Sequence, residues 1–585
     1  MDETTAAAGE SENKDMLSED ETEIITVDTG KTDSGRAALI YGISDQPPWI
    51  MSFALALQHF SSNFTSCIVL PILLSKSLCF DKQDELLTKL IATSFFTTGI
   101  GTMLQVFLGC RLPILQGPSA AYLIPLIAML QVRGDCPEIS AANTTAVENN
   151  LLRDEALIRI REVQGVMMLA ALVQCILGFT GLIGTLLRFI GPITIGVTIF
   201  MIGVGIIPVA MNLVEDHWCI SIPTISLVIL FSMFLSNVSV PFPGSNGIRI
   251  FALFPMMLAI AIMWFVCVVL TLTGVFPDDP EVYGYAARVD TKVDNIRAAP
   301  WLALPYPGQW GMPTFNVAGF AGVLTAVVAS MLDSLGDYHA CSQVSLVPPP
   351  PLHAVNRGIG LEGIGCMIGA LWGAGVGVTS HSSDISVLNL TKVASRTVLI
   401  LSGLIFAAVA FLAKFSALMN AIPSPVLGAS AVTIGMISAI GLANFQHVNM
   451  ESSRNILVVG ISIFVAIGIP GYFDKNPEAV NTGIGVIDQL SLILLSNKMF
   501  MGAAVSVLLD NLIPGTYEDR GMDWRTKTSQ DNTAVTMSTE LSVYQLPFGM
   551  RWIQKKNWMR YVPFSPTFTG FRRPYNTAVP DDSSV

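Results

Sequence analysis

Twelve stretches of this 585-residue chain run for about 20 predominantly apolar residues, long enough to cross the hydrocarbon core of a bilayer as a helix. They fall near residues 50–76, 86–109, 163–186, 188–213, 217–238, 250–275, 314–345, 356–376, 396–420, 422–443, 452–473 and 488–512. Only 13% of the residues are charged against 51% hydrophobic, and the mean hydropathy is +0.57. The expected fold is therefore an all-α polytopic membrane protein.

Two further apolar segments are shorter and interrupted. Leu115 to Leu130 is broken by Gly117 and Pro118, and the stretch TSHSSDISVLNLTK, residues 379–392, carries a polar cluster before running on to Ser395. Counting both gives about fourteen crossings. The two interrupted segments are then third and tenth, each the third element of a seven-span half. Interrupted spans at corresponding places in two halves are the sign of inverted repeats around a midplane binding site. No repeat is visible residue by residue, so position alone carries this reading.

The net charge of -12 says little about partners, because eleven acidic residues lie between Asp2 and Asp33. That segment, residues 1–45, is expected to be a disordered cytosolic tail. No basic stretch precedes a short apolar run at the start, so no cleaved signal is expected and the N-terminus stays inside. Arg111, Arg188, Arg249, Arg357, Lys392, Arg396 and Arg454 then fall in short cytosolic connections, in agreement with the positive-inside rule. The long connections 132–162 and 276–313 fall outside. Asn143 heads a glycosylation sequon in the first of them. Cys79 and Cys136 both land outside, where a disulfide is permitted, and the remaining cysteines are read as small core residues. Residues 514–585 form a second cytosolic tail. Its run Arg551–Tyr561 mixes aromatic and basic residues and reads either as lying against anionic lipid or as a solvated tail.

Ionisable groups at bilayer depth each cost roughly 2.5 to 3.5 kcal/mol on insertion scales and must face protein, water or a ligand. Asp333 and Asp337 are spaced i,i+4 and share a helical face, which suits proton uptake or a cation; the plainer reading places Asp337 in solvent at the cytosolic end. Glu362 is read either as buried in the next span or as interfacial. His59, beside Gln58, Ser61, Ser62 and Asn63, is either an interhelical hydrogen-bond partner or part of a polar pathway. His381 stands at the mouth of a site or in a solvated loop. Ser382, Ser383 and Asp384 are preferred N-cap types, so the cluster is expected to cap a half-helix whose N-H groups also face a ligand. Asp384 would partly cancel the positive potential there and disfavour an unescorted anion. No metal-ligand spacing, phosphate loop or catalytic triad stands out, and an enzyme is not expected.

The segments SDQPPWIMSFALALQHF, RLPILQG, RIREVQG, PYPGQWGMPT, SLGDYHAC, PPPPLHAVNRGI, LTKVASR, SSRNILVVG and DNLIPGTYEDRG resemble, in order and spacing, the animal branch of the nucleobase-ascorbate transporter family. The resemblance runs from about Ser44 to Pro563. It implies fourteen spans in two inverted seven-span repeats, within a transporter domain of residues 46–513. A core would hold spans one to four and eight to eleven, about 46–186 and 314–420, and a gate the rest, about 187–275 and 421–513. Spans three and ten would carry short extended segments, with substrate between them. The resemblance also implies a homodimer formed through the gate.

By the same resemblance, Asp333 stands where the family has a substrate-binding glutamate. Asp337 and Glu362 match acidic positions, and His59 matches a first-span histidine after glutamine. Span ten departs from the pattern. Nucleobase carriers have Glu or Gln, then Asn, any residue and Gly, before a later Thr with Lys or Arg; ascorbate carriers begin with Pro. This chain has Ser383, Asp384, Ile385 and Ser386, then Thr391 and Lys392. In span three, Ser119 is followed by Ala120 where a Phe is usual. Candidate substrate ligands are Asp333, Ser383, Asp384, Ser119, Ala120 and His59. Candidate coupling residues are Asp337, Asp384, Glu362 and Thr391. The expected function is a plasma-membrane symporter, driven by Na+ or H+, that imports a nucleobase or ascorbate by an elevator-like motion and has no resident cofactor. The alternative is a transport-inactive relative serving as sensor or partner subunit.

Overall fold

A computed structural model describes residues 39–80, 83–137, 146–186, 189–242, 245–280, 282–431, 436–516, 519–521 and 541–568. Residues 1–38, most of the expected acidic tail, and Asn143 lie outside them.

Each expected crossing is occupied by helix, because lipid offers no partner to an unpaired backbone group. In chain order these are α1 (Trp49–Ser75), α2 (Asp84–Phe107), strand β1 (Gln116–Pro118) leading into α3 (Ala120–Val132), and α4 (Ala146–Thr180). Then follow α5 (Pro192–Val214), α6 (Trp218–Ile229), which runs on as a π-helical turn to Phe234, a hairpin of β2 (Val240–Phe242) and β3 (Ser245–Ile248), and α7 (Pro255–Leu272). The second half holds α8 (Val317–Val344), α9 (Leu352–Trp372), β4 (Val378–Ser380) leading into α10 (Ser382–Thr391), and α11 (Arg396–Ala410), which bends into Ala413–Asn420. Last come α12 (Ser424–Ala431), followed by Met436–Ala443, α13 (Ser453–Lys475), and α14 (Lys498–Leu512), preceded by Gly485–Leu495. Among the described residues, seven helices are long and apolar enough to cross a membrane unaided, and two bent pairs bring the number to nine.

The packing repeats when each helix is advanced by seven. Helix α4 packs on α9 as α11 packs on α2; α1 packs on α11 as α8 packs on α4; α1 packs on α10 as α8 packs on α3. Outside that group, α6 packs on α7 as α13 packs on α14, and α5 on α14 as α12 on α7. The two short strands meet on the axis of this pattern: β1 pairs antiparallel with β4, Gly117 opposite Thr379.

Several boundaries differ from the sequence expectation. Half of the expected outer loop 132–162 is the start of α4. Its charged residues hide it from a hydropathy window, but they are paired: Arg133 and Arg159 both donate to Glu155 at 2.9 Å, and Arg159 also reaches the carbonyls of Ser77 and Gly134. The Cys79–Cys136 disulfide ties the end of α1 to the same connection, 57 residues on. Residues 39–45 are not loose tail. Ile40 N donates to Lys392 O at 2.8 Å, Ala394 N to Tyr41 O at 2.9 Å, and Ser395 Oγ to Asp45 O at 2.6 Å.

The C-terminal segment is likewise built into the fold. Arg357 Nε donates to Gly109 O at 2.7 Å, and its Nη2 to Tyr544 O at 2.8 Å. Arg396 donates to Arg111 O and Val543 O, both at 2.7 Å, and Arg111 donates to Gln545 O. Tyr544 is wholly buried, its hydroxyl on Pro348 O. Arginines read as short-loop cations therefore clamp residues 543–545 against the ends of α2, α9 and α11.

Candidate functional site

Gly117 and Pro118 stop helix formation at β1, and only glycine fits there. A Cβ on Gly117 would lie 1.9 Å from Asn63 Nδ2 and 2.8 Å from His381 Cδ2. Extended backbone at this depth survives because it is enclosed and paired. Besides the β1–β4 pairing, Gln116 N donates to Thr102 Oγ1 at 3.0 Å, Ser119 N to Gly377 O at 2.9 Å, and His381 N to Leu115 O at 3.1 Å. The N-termini of α3 and α10 open on either side of this crossing. Ser119 caps α3, accepting from Ala121 N at 3.3 Å, and both Ser119 and Ala120 are buried.

Three carboxylates bind α10 and β4 to three different helices. Asp384, 0% exposed, accepts from His59 Nδ1 of α1 and, through its other oxygen, from Leu115 N at 3.1 Å. Asp337 of α8 accepts from Ser382 Oγ at 2.6 Å, while its second oxygen is buried without a hydrogen-bond partner among the described residues. Glu362 of α9 is buried and receives four donors: Gln174 Nε2 at 3.1 Å and Thr379 Oγ1 at 3.3 Å on one oxygen, Ser334 Oγ at 2.6 Å and Tyr338 OH at 3.3 Å on the other. The interfacial reading of Glu362 and the solvated reading of Asp337 are both overturned.

Asp333 differs from these. It is half-buried, one turn before Asp337, and makes no hydrogen bond or ion pair among the described residues. Gly336, between them, is exposed, and a Cβ built there meets nothing within 4 Å. Ser383 and Ser386 of α10, whose first residue Ser382 donates to Asp337, are exposed. Asp333 is thus an acceptor without a partner among the described residues, while Asp384 and Glu362 are held by the scaffold through both oxygens and Asp337 through one.

The cap expected from Ser382, Ser383 and Asp384 is not what forms. The N-cap of α10 is His381, with no side-chain cap bond, and its Nε2 lies 3.2 Å from Pro118 O. Asp384 sits in the first turn and turns inward to His59. The buried imidazole competes successfully for the carboxylate that a cap would use. Asp384 is therefore not the ligand-facing group that its neighbourhood with Ser383 suggested, and does not replace the missing acid at 383. Thr391 is also remote: it ends α10, its hydroxyl on Val387 O at 2.9 Å, about 13 Å along the helix from Ser382.

Sequence reading missed the shell around Glu362. Gln174, Ser334, Tyr338 and Thr379 are polar residues in apolar runs, and polarity inside a span was the available signal. A cavity of about 560 Å³ lies elsewhere, between α5, α8 and α14, walled by side chains such as Leu324, Val328, Leu332 and Ala503. Asp333 lies about 100° further round α8 than Leu332, so this apolar cleft is not the acidic surface.

A model of the Permease family, Xan_ur_permease, matches residues 51–475. The chain is 42% identical over 556 residues to Solute carrier family 23 member 2 of Rattus norvegicus, covering 93% of this chain and 85% of that protein. It is 32% identical over 524 residues to Nucleobase-ascorbate transporter 1 of Arabidopsis thaliana, covering 88% and 96%. It also aligns with the transmembrane domain of a cyanobacterium bicarbonate transporter, BicA, at a TM-score of 0.42 and 13% identity, over 80% of this chain and 99% of that one. That last likeness is too loose to carry an argument.

Proposed function

The chain belongs to the xanthine/uracil permease family of membrane transporters, in its solute carrier family 23 and nucleobase-ascorbate branch, and we propose that it carries a small neutral ring compound together with Na+ or H+. The observation that carries this reading is Asp333, a half-buried carboxylate on a membrane-length helix with no partner among the described residues, since such a group is too costly to keep without a use.

The chemistry of the surface favours an N-H donor. A carboxylate is acceptor-only, whereas Ser383 and Ser386 each offer one hydroxyl. A nucleobase presents ring N-H and C=O groups in one edge, and Asp333 takes the donor while a serine answers the carbonyl. An anion such as ascorbate is disfavoured. Asp333 offers a ligand acceptor oxygens only, so an anion meets a carboxylate there with no cationic side chain among Asp333, Ser383 and Ser386 to answer it. A cation or proton that travels with a neutral substrate would neutralise a carboxylate in the course of binding. Asp337, with one oxygen unpaired among the described residues, is the group that we assign to receive it.

In this reading α1–α4 and α8–α11 form a core that moves against a gate of α5–α7 and α12–α14. The mainly apolar lining of the cleft between α8 and α14 supports such sliding, with Asn497 Nδ2 donating to Thr325 Oγ1 at 3.0 Å as a bond that the motion must break. The carrier would sit in the plasma membrane with both termini in the cytosol and pair through its gate. The test is uptake of radiolabelled uracil, xanthine and ascorbate by cells that lack these activities. Uptake of a nucleobase, competed by other nucleobases and not by ascorbate, is expected. Surface-expressed protein that takes up none of them points instead to a transport-inactive sensor or partner subunit.

A further inference from the structure

We propose that the C-terminal segment Leu541–Phe568 is an interfacial strap that engages anionic phospholipid headgroups of the cytosolic leaflet. The strap is pinned at two places. Phe548 packs at a tilt against Phe107, the last residue of α2, with ring centroids 6.3 Å apart. Phe564 packs edge-on against Phe179 near the end of α4 at 5.2 Å, and Asn356 Nδ2 donates to Pro563 O at 3.0 Å. Both anchors are ends of helices long and apolar enough to cross the membrane. The intervening residues 549–562 therefore run from one helix end to the other at the level of the bilayer surface.

Their chemistry suits that level. Ile553 is buried beneath the strap, while Trp552, Trp558 and Tyr561 are 53%, 56% and 81% exposed, with the two indoles paired at 6.3 Å. Arg551, Lys555, Lys556 and Arg560 are exposed, and residues 541–568 contain no acid. Exposed aromatic rings together with unopposed cations are the side chains enriched where headgroups meet acyl chains, and anionic lipid adds an attraction for each cation. A soluble acidic partner would not require large rings to stand in water at the same place.

The side of the membrane follows from the disulfide. Cys79–Cys136 requires an oxidising compartment and lies at the opposite ends of α1 and α3 from the clamp. The face holding Arg111, Arg357, Arg396 and the strap is then the cytosolic one, where anionic lipid is concentrated. This inference does not depend on which substrate the carrier takes.

The test uses the full chain in nanodiscs of phosphatidylcholine alone or with phosphatidylserine, carrying bromine near the headgroup end of the acyl chains. The difference in fluorescence quenching between the unaltered protein and the double variant Trp552→Phe, Trp558→Phe isolates the two indoles. We expect that difference to be present, to grow with phosphatidylserine, and to shrink with salt. Changing Arg551, Lys555, Lys556 and Arg560 to Gln is expected to weaken the phosphatidylserine preference about fivefold per cation. These side chains are exposed, so the variant should elute as the unaltered protein does. Absence of quenching at the two indoles overturns the proposal. So does quenching that is equal in both lipids and indifferent to the four substitutions, which leaves only apolar contact, and so does shielding that depends on protein concentration, which assigns the face to a second copy.

Discussion

His59 and Asp384 lie 325 residues apart and meet as a fully enclosed pair, with Leu115 N held on the second carboxylate oxygen. Truncating one member of such a pair strands the other without a partner, typically a loss of about 3 to 5 kcal/mol. His59→Ala and Asp384→Ala should therefore each lower the thermal midpoint of the purified protein strongly, and the double variant should lose less than the sum. Asp384→Asn keeps the shape and an acceptor for Leu115 N and should unfold close to the unaltered protein. Thermal unfolding followed by size-exclusion fluorescence reads all four.

Gly117→Ala should be damaging out of proportion to one methyl group. The new Cβ falls onto Asn63 Nδ2 and crowds His381, at the crossing of β1 and β4. Shortening the neighbour, in Gly117→Ala with Asn63→Ala, should recover part of the lost stability. No recovery would mean that His381 or the strand backbone sets the limit.

The clamp on residues 543–545 makes its own forecast. Arg357→Ala removes two charge-assisted bonds, each worth about 1.5 to 3 kcal/mol, and should release the C-terminal segment to protease. Tyr544→Phe removes one hydroxyl bond to Pro348 O and should cost only about 1 kcal/mol. Limited proteolysis with mass spectrometry distinguishes release of the segment from global unfolding.

Cys79→Ser should lower stability by about 2 to 5 kcal/mol, since the bond closes a loop of 57 residues. Reductant should have the same effect on the unaltered protein and none on the variant, which a thermal scan with and without reductant checks.

Most of the architecture was legible because hydropathy reports burial in lipid directly. Each crossing and both interrupted spans could be read from runs of apolar residues, and the extended pieces followed from Gly117, Pro118 and the family resemblance. What could not be read depends on direction. Asp384 has a capping residue's chemistry and a capping residue's position, and only the three-dimensional placement of His59 turns it inward. The start of α4 was hidden because its charges pair with one another, so a composition window sees a loop. The clamp was hidden for the converse reason: Arg111, Arg357 and Arg396 read as ordinary cytosolic cations, and nothing in their spacing reveals that carbonyls of residues 543–545 will meet them.

The central claim is that a free carboxylate at Asp333 receives a neutral ring compound whose entry is driven by a cation. Its most direct test is accumulation of radiolabelled uracil or xanthine in proteoliposomes under an imposed inward Na+ or H+ gradient, for the unaltered protein and for Asp333→Asn. The account predicts accumulation above the external concentration for at least one gradient, collapse when an ionophore removes it, and loss in Asp333→Asn with thermal stability unchanged. Undiminished accumulation by Asp333→Asn, or accumulation that ignores both gradients, would contradict it.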